Sequence, residues 1–271
     1  GIARTGGLGD VVRDLSRALV GRGVATAVIL PAYGSSTLTG ESIAQLKVPF
    51  GGKERRAEVL YLDHAGVPVY QIRNKKFFEK EYGSVYIDSG RAGRGPFEDD
   101  AKRFAFFSAA VAAALVTLPV FRELTLLHCH DWHSGILPVL LKTDPAFTVV
   151  AARLRVLFTI HNLGYQGVRP FVYGRGRELH SFASWFPDLY RALAGTPRFF
   201  DLRDPLAEFP CFNPIKAGIR LADLVTTVSP TYAHEITLPD DQGNRFIGGH
   251  GLERDLALLA RQGRLVGILN G

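Results

Sequence analysis

Three polar clusters in this sequence combine residue types that do chemistry at spacings that would let them act together. The first is Arg4-Thr5-Gly6-Gly7-Leu8-Gly9-Asp10, a glycine turn feeding into a helix. Glycines permit backbone conformations and close ligand approach that a Cβ would block, and the N–H groups of a helix start point at an anion. With Arg4 as a fixed positive charge, the loop reads as a candidate phosphate site contributed by Arg4, Gly6 and Gly7. The alternative is a glycine turn that merely joins two elements. The second cluster is His128-Cys129-His130-Asp131-Trp132-His133, and the third is His161-Asn162-Leu163-Gly164-Tyr165-Gln166-Gly167.

The histidine cluster invites a metal reading, because residues 128 and 130 share one face of a strand and His133 could close the site. The order HxHDxH nevertheless places its acid one position early for the HxHxDH pattern of zinc hydrolases. One active-site histidine beside packed strand histidines is the plainer reading. Asp131 and His133, at the strand exit, are candidates for hydrogen bonding a ligand. Trp132 suits the core as well as it suits a platform for a sugar ring.

These clusters need elements to hold them. After the glycine loop, Val11, Val12, Leu15 and Leu19 recur at helical spacing, Gly21 and Gly23 stop the helix, and Ala25 to Leu30 reads as a buried strand. The loop therefore sits in a β-α-β context whose first strand is expected to be missing from this chain. Strand-like runs at Val67 to Ile72, Leu124 to Cys129, Arg155 to Ile160, Leu224 to Val228 and Leu265 to Leu269 alternate with helical stretches. Asp99 to Leu118 and Ser134 to Lys142 are helical, and Asn213 to Ala222 opens on an Asn-Pro start signal. The alternation predicts an α/β fold, a Rossmann-like, doubly wound, mainly parallel sheet. Such sheets bind ligands at the carboxyl ends of their strands, and each polar cluster stands at such an end. All three are expected to converge on one crevice. The segment from Arg169 to Pro214 is rich in Gly, Pro and aromatics, including Phe171, Tyr173, Trp185, Phe186, Tyr190, Phe199 and Phe200, and reads as a lid or insertion. Its aromatics either stack on sugars or pack a small helical subdomain.

Composition narrows the class. The 271 residues are 46% hydrophobic, enough for a sizeable core. There is no methionine and position 1 is a glycine, so the chain is expected to be a piece of a longer one. The longest apolar run, Ala109 to Leu118, is too short to cross a bilayer, and no membrane partner is expected. Cys129 and Cys211 are distant in sequence, consistent with reduced thiols or one long-range disulfide. The net charge of +6 is spread among acids, as in Lys53-Glu54-Arg55-Arg56 and Glu79-Lys80-Glu81. That pattern makes a solvated surface rather than a nucleic-acid site, and it suits an anionic small substrate.

Taken together, the motifs resemble those of the glycogen and starch synthases, retaining glucosyltransferases of family 5. RTGGLGDVVRDLSRAL is similar to that family's opening loop and helix, HCHDWHSGILPVLLK to its HDWH segment, and FTIHNLGYQG to its HN-x-x-YQG segment. KAGIRLADLVTTVSPTYAHEI, GHGLERDL and GRLVGILNG follow in the family's order. The resemblance implies the N-terminal domain of a GT-B fold over residues 1–271, with an ADP-binding C-terminal domain lying beyond them. It implies transfer of glucose from ADP-glucose to the non-reducing end of an α-1,4-glucan, with retention and with neither metal nor pyridoxal phosphate. By matching motifs, His161 and Asp131 belong to the catalytic centre, His133 meets substrate hydroxyls, and Asn162 and Gln166 shape the glucose pocket. Arg4 stands where the family has lysine, near the donor phosphates; Asp10 matches the loop's acid, and Tyr86 lines the crevice. Lys216 is expected to be structural. The resemblance further implies a bacterial cytoplasm or a plastid stroma, and a fragment that does not turn over without its second domain. Alternatives are a non-catalytic glucan-binding or regulatory relative and a zinc hydrolase built on the histidines.

Overall fold

The computed structural model describes residues 7–36, 38, 40–79, 85–86, 98–173 and 180–270, so that Arg4 and Gly6 of the glycine loop fall outside the described residues. The chain divides into two compact units, Gly1–Val120 and Phe121–Gly271. Both are built of helices on sheets, as the alternating pattern predicts.

In the first unit α1 (Gly7–Gly21) carries the stripe read from the sequence and stops at a turn in which Gly23 donates to the Val20 carbonyl. Strand β1 (Val28–Pro31) is followed by β2 (Glu41–Phe50), β3 (Lys53–His64) and β4 (Val67–Arg73), and then by the long helix α2 (Glu98–Thr117). The sheet order is β1-β4-β3-β2, with β1 parallel to β4 and the other pairs antiparallel. The β2–β3 pair adds to the strands read from the sequence. Its signal was the Gly51-Gly52 dipeptide, both residues at positive φ (67° and 66°), the requirement of a two-residue hairpin turn. Along β2, Leu46, Val48 and Phe50 are buried at alternate positions, as a sheet with one covered face demands. That face receives α2, and Phe77 stacks on Phe106 with ring centroids 4.2 Å apart while Phe50 meets both edge-on.

The second unit begins its regular structure with β5 (Leu126–His130), which runs directly into α3 (Asp131–Ser134), α4 (Ile136–Thr143) and α5 (Thr148–Arg153) before β6 (Arg155–Ile160). Then come β7 (Arg169–Pro170), three short helices α6 (Phe182–Trp185), α7 (Pro187–Leu193) and α8 (Pro197–Leu202), and β8 (Cys211–Phe212). Helix α9 (Pro214–Leu221), β9 (Leu224–Thr227), α10 (Pro230–Glu235), α11 (Glu253–Arg261) and β10 (Leu265–Gly267) complete the unit. Its main sheet is wholly parallel in the order β10-β9-β6-β5. Cys129, Val156, Phe158, Ile160 and Val225 are buried, the near-continuous apolar strand pattern of a sheet covered on both faces. The Asn-Pro signal is realised physically: the Asn213 side chain accepts from the Lys216 N–H at 3.0 Å and Pro214 occupies the first turn of α9. The helix expected over Ser134 to Lys142 is α4, and the one-turn α3, ending at Ser134, precedes it across Gly135.

The aromatic segment packs on itself. Phe171 stacks on Phe199 at 4.2 Å, Phe182 lies 4.7 Å from Phe212, and Trp185 is buried. The small helical subdomain is thus the role of most of these rings, with Phe200 left exposed. Cys129 and Cys211 are both buried free thiols. Among the described residues no single helix is long and apolar enough to cross a membrane.

Candidate functional site

The second and third polar clusters meet at the carboxyl ends of two neighbouring parallel strands. In the β5–β6 register His130 lies opposite Thr159, so Asp131 and His161 leave the sheet close together. The transition from β5 to α3 is made in a single residue. Asp131 takes φ of +52°, a left-handed conformation uncommon for a residue with a Cβ but tolerated by aspartate. Its buried side chain reaches across, and Oδ1 accepts the His161 backbone N–H at 2.7 Å while the Asn162 N–H also donates to the carboxylate. Strained backbone of this kind concentrates at functional sites.

Behind this junction runs a chain of side chains. His161 Nε2 and His130 Nδ1 are 3.0 Å apart. The His128 ring lies 4.0 Å from that of His130, and its Nε2 is 2.6 Å from the Thr159 hydroxyl, which in turn meets the Thr226 hydroxyl at 2.6 Å. Burial disfavours charge throughout. It lowers His128 to about 4, helped by the proximity of His161, and lowers His161 to about 4. Burial also holds His130 and His133 below the ordinary imidazole range. It raises Asp131 to about 7, against the two backbone donors, which favour the carboxylate. Among the described residues Asp131 forms no ion pair. Neutral imidazoles can both donate and accept, so this end of the sheet suits an uncharged ligand rich in hydroxyls. The histidines bond to one another and to threonine rather than converge on one point, and no group of three possible metal ligands occurs among the described residues.

The remaining candidates take distinct places. Asn162 is exposed at its turn, its carbonyl oxygen accepting from the Gly164 N–H at 2.6 Å. Gln166 is a brace: Nε2 donates to the His250 carbonyl at 3.1 Å, and Oε1 accepts from Asn213 Nδ2 at 2.6 Å. Asn213 Nδ2 also donates to Asp204 at 2.7 Å, so one glutamine ties three segments together. The sequence flags Gln166 by motif but not these partners, which are remote in the chain. Trp132 is buried with the Tyr165 ring edge-on at 5.1 Å, which makes it a core residue. His133 is half-buried on α3, its ring beside that of Trp132. Lys216 pairs with Asp255 at 3.8 Å, a structural contact.

In the first unit Gly7 opens α1, and Asp10 lies in its first turn with Arg13 Nη1 2.9 Å from Oδ1. An acidic residue there also favours the helix N-terminus electrostatically. Tyr86 is half-buried, its ring meeting Phe104 edge-on at 6.5 Å.

Comparison with known proteins decides the family. Residues 1–257 match the glycosyltransferase family 5 starch synthase catalytic domain. The chain belongs to that family. It is 34% identical over 274 residues to the glycogen synthase of Caldicellulosiruptor saccharolyticus, covering 99% of this chain and 49% of that protein. It is 35% identical over 277 residues to the glycogen synthase of Clostridioides difficile, covering 99% of this chain and 50% of that one. The solved catalytic domain of starch synthase IV from Arabidopsis thaliana, bound to ADP and acarbose, superposes with a TM-score of 0.78 at 28% identity. That match covers 100% of this chain and 49% of the plant chain. The chain therefore spans about half the length of the relatives it matches. The family's HDWH and HN-x-x-YQG segments are those whose residues form the β5–β6 junction described above.

Proposed function

We propose that this chain is the acceptor-side half of a retaining glucosyltransferase that moves glucose from ADP-glucose to the non-reducing end of an α-1,4-glucan. The observation that carries the proposal is the junction of Asp131 with the neutral imidazoles of His130 and His161 at the carboxyl ends of β5 and β6, formed by the segments that match the family. Groups of this kind recognise sugar hydroxyls without requiring charge on the ligand. Membership of the family and a structural relative that holds ADP and acarbose support the same substrate classes.

In this reading the phosphate chemistry falls to the glycine loop. Departure of the nucleoside diphosphate develops negative charge, which backbone N–H groups near Gly6 and Gly7 and the guanidinium of Arg4 would stabilise. Asp131 fixes the main chain at His161, whose ring faces the transferring glucose, while His133 and Asn162 meet hydroxyls at the rim. The second half of the enzyme would close the cleft from the other side, so this chain alone binds glucan without turnover. A non-catalytic glucan binder is the second reading, favoured by arginine at position 4, since a guanidinium and an ammonium do not occupy a phosphate site alike.

The test is kinetic, in the full-length protein that contains this chain. His161→Ala lowers kcat by about 100-fold to 1,000-fold with glucan KM little changed, as loss of a contact made in the transition state requires. Arg4→Ala raises KM for ADP-glucose or lowers kcat, whereas Arg4→Lys retains activity. Glucan binding with no glucose transfer by the unmodified full-length protein would establish the second reading instead.

A further inference from the structure

We propose that His130 is a positioning residue for His161: it occupies His161 Nε2, fixes the tautomer and the plane of that ring, and leaves Nδ1 as the nitrogen that meets the ligand. The inference rests on reading His161 as the group that contacts the transferred sugar, and its first measurement is independent of turnover.

The two nitrogens are 3.0 Å apart, hydrogen-bonding distance, and both rings are kept uncharged by burial. Two neutral imidazoles so placed share one proton between them. If His130 Nδ1 carries it, His161 must hold its own proton on Nδ1; if His161 Nε2 carries it, His130 must hold its proton on Nε2. Either way the two rings adopt the same tautomer, and the state of one dictates that of the other. Among the described residues the His161 ring has no other hydrogen bond, so its tautomer is coupled to that of His130 and to no other side chain. Its backbone is pinned separately, through Asp131.

His130 is itself held. The His128 ring lies against it at 4.0 Å, tilted by 32°, and His128 is anchored through Thr159 to Thr226 on β9. The titratable groups facing the pair are His128 on β5, His133 and Asp131 on α3, and none of these histidines is charged near neutrality. The support thus runs across three strands of the sheet before it reaches the ring that faces outward. A side chain at the end of a strand gains rotational precision from such backing, which a loop residue would lack.

The tautomers can be read directly. With histidine labelled by nitrogen-15, long-range proton–nitrogen correlation spectra of the chain at neutral pH should show His161 and His130 each in one tautomer, and the same one. A mixture at His161 in the unmodified protein overturns the proposal without any variant. His130→Phe keeps a ring but removes the nitrogen, and should leave His161 as a tautomer mixture. His130→Asn places an amide where Nδ1 stood and should restore a single form. In the full-length enzyme His130→Phe should lower kcat by about tenfold or more with glucan KM within about threefold, and His130→Asn should recover most of the loss. A native His161 spectrum in folded His130→Phe, or equal kcat losses in the two variants, overturns the assignment. A full-length protein that transfers no glucose yet shows the locked tautomers overturns the enzymatic reading while the positioning role stands.

Discussion

The two units bury ionisable groups in opposite ways. In the first, Arg103 and Asp100 are 1% and 0% exposed and form an ion pair on one face of α2, with 2.7 Å between Nη1 and Oδ1. The guanidinium also donates to the Phe77 carbonyl at 2.7 Å and lies over the rings of Tyr33 and Phe78. With an ionic partner, a main-chain acceptor and two aromatic faces, the guanidinium ties α2 to the aromatic core. In the second unit burial disfavours charge on four histidines and on Asp131, lowering the histidines and raising Asp131, which among the described residues has no ion-pair partner. Groups whose protonation is shifted this far, at the ends of parallel strands, are the usual mark of a site. The difference teaches that burial alone does not mark a site: one buried set is an ion pair that ties a helix to its core, the other a cluster of shifted protonation at the strand ends where open α/β sheets bind ligands.

The largest effect expected from this contrast is acid lability confined to the second unit. Trp132 and Trp185, the two tryptophans of the chain, both belong to that unit, so their fluorescence reports on it alone. The histidines have folded values below the ordinary 6.5, so their contribution is present above pH 6.5 and is lost as pH falls toward about 4. In that window the unfolded chain binds protons that the folded unit does not, at about 1.4 kcal/mol per pH unit for each histidine. Asp131 acts in the opposite sense: raised from 3.8 to about 7, its contribution is present below pH 3.8 and lost as pH rises through 7. Four groups outweigh one, so the urea midpoint read by tryptophan fluorescence should fall from pH 6.5 to pH 5. An unchanged midpoint would remove the basis of the comparison.

A smaller and more local effect tests the first unit. Arg103→Met leaves Asp100 buried without its cation and should cost about 3–5 kcal/mol, seen as loss of amide-exchange protection in β2 to β4. Adding Asp100→Leu should recover part of that cost, because the double change removes both charges. Should the double variant be no better than the single one, the two groups are not the ion pair described here.

The smallest effect sharpens the contrast at one atom. Asp131→Asn keeps an oxygen to accept the His161 and Asn162 N–H groups, and asparagine tolerates the left-handed backbone. Stability at pH 7 should rise, because the neutral amide does not carry the cost that a buried carboxyl group bears there, and the gain should shrink as pH falls, so that the acid dependence steepens by up to about 1.4 kcal/mol per pH unit. An unaltered slope would mean that Asp131 does not hold its proton in the folded protein near neutrality.

Much of this molecule is legible in the sequence, and the reason is local. Arg155 to Ile160 reads as a strand and is one over the same residues, because an unbroken run of β-branched and apolar residues suits a strand covered on both faces. Asn213-Pro214 announces a helix start because capping is a contact between residues three apart. The hairpin of β2 and β3 was less visible: its strands are half-exposed and charged, and its marker is one Gly-Gly step.

What the sequence by itself determined is the α/β class, most of the helices and parallel strands in their order, the family and the identity of the polar residues at strand exits. What only the tertiary structure decided is who holds whom. The register of β5 on β6 brings Asp131 to the His161 main chain and His130 to its ring across 30 and 31 residues of chain. The brace made by Gln166 joins segments 47 and 84 residues away, to Asn213 and His250. Trp132, open in the sequence to a sugar or to the core, is settled by its burial against the loop that contains Gly167. A Cβ on Gly167, whose φ is +71°, would come within 2.5 Å of that indole. Local preferences are written in neighbouring residues, whereas tautomers, braces and shifted protonation depend on side chains that become neighbours only when parallel strands align.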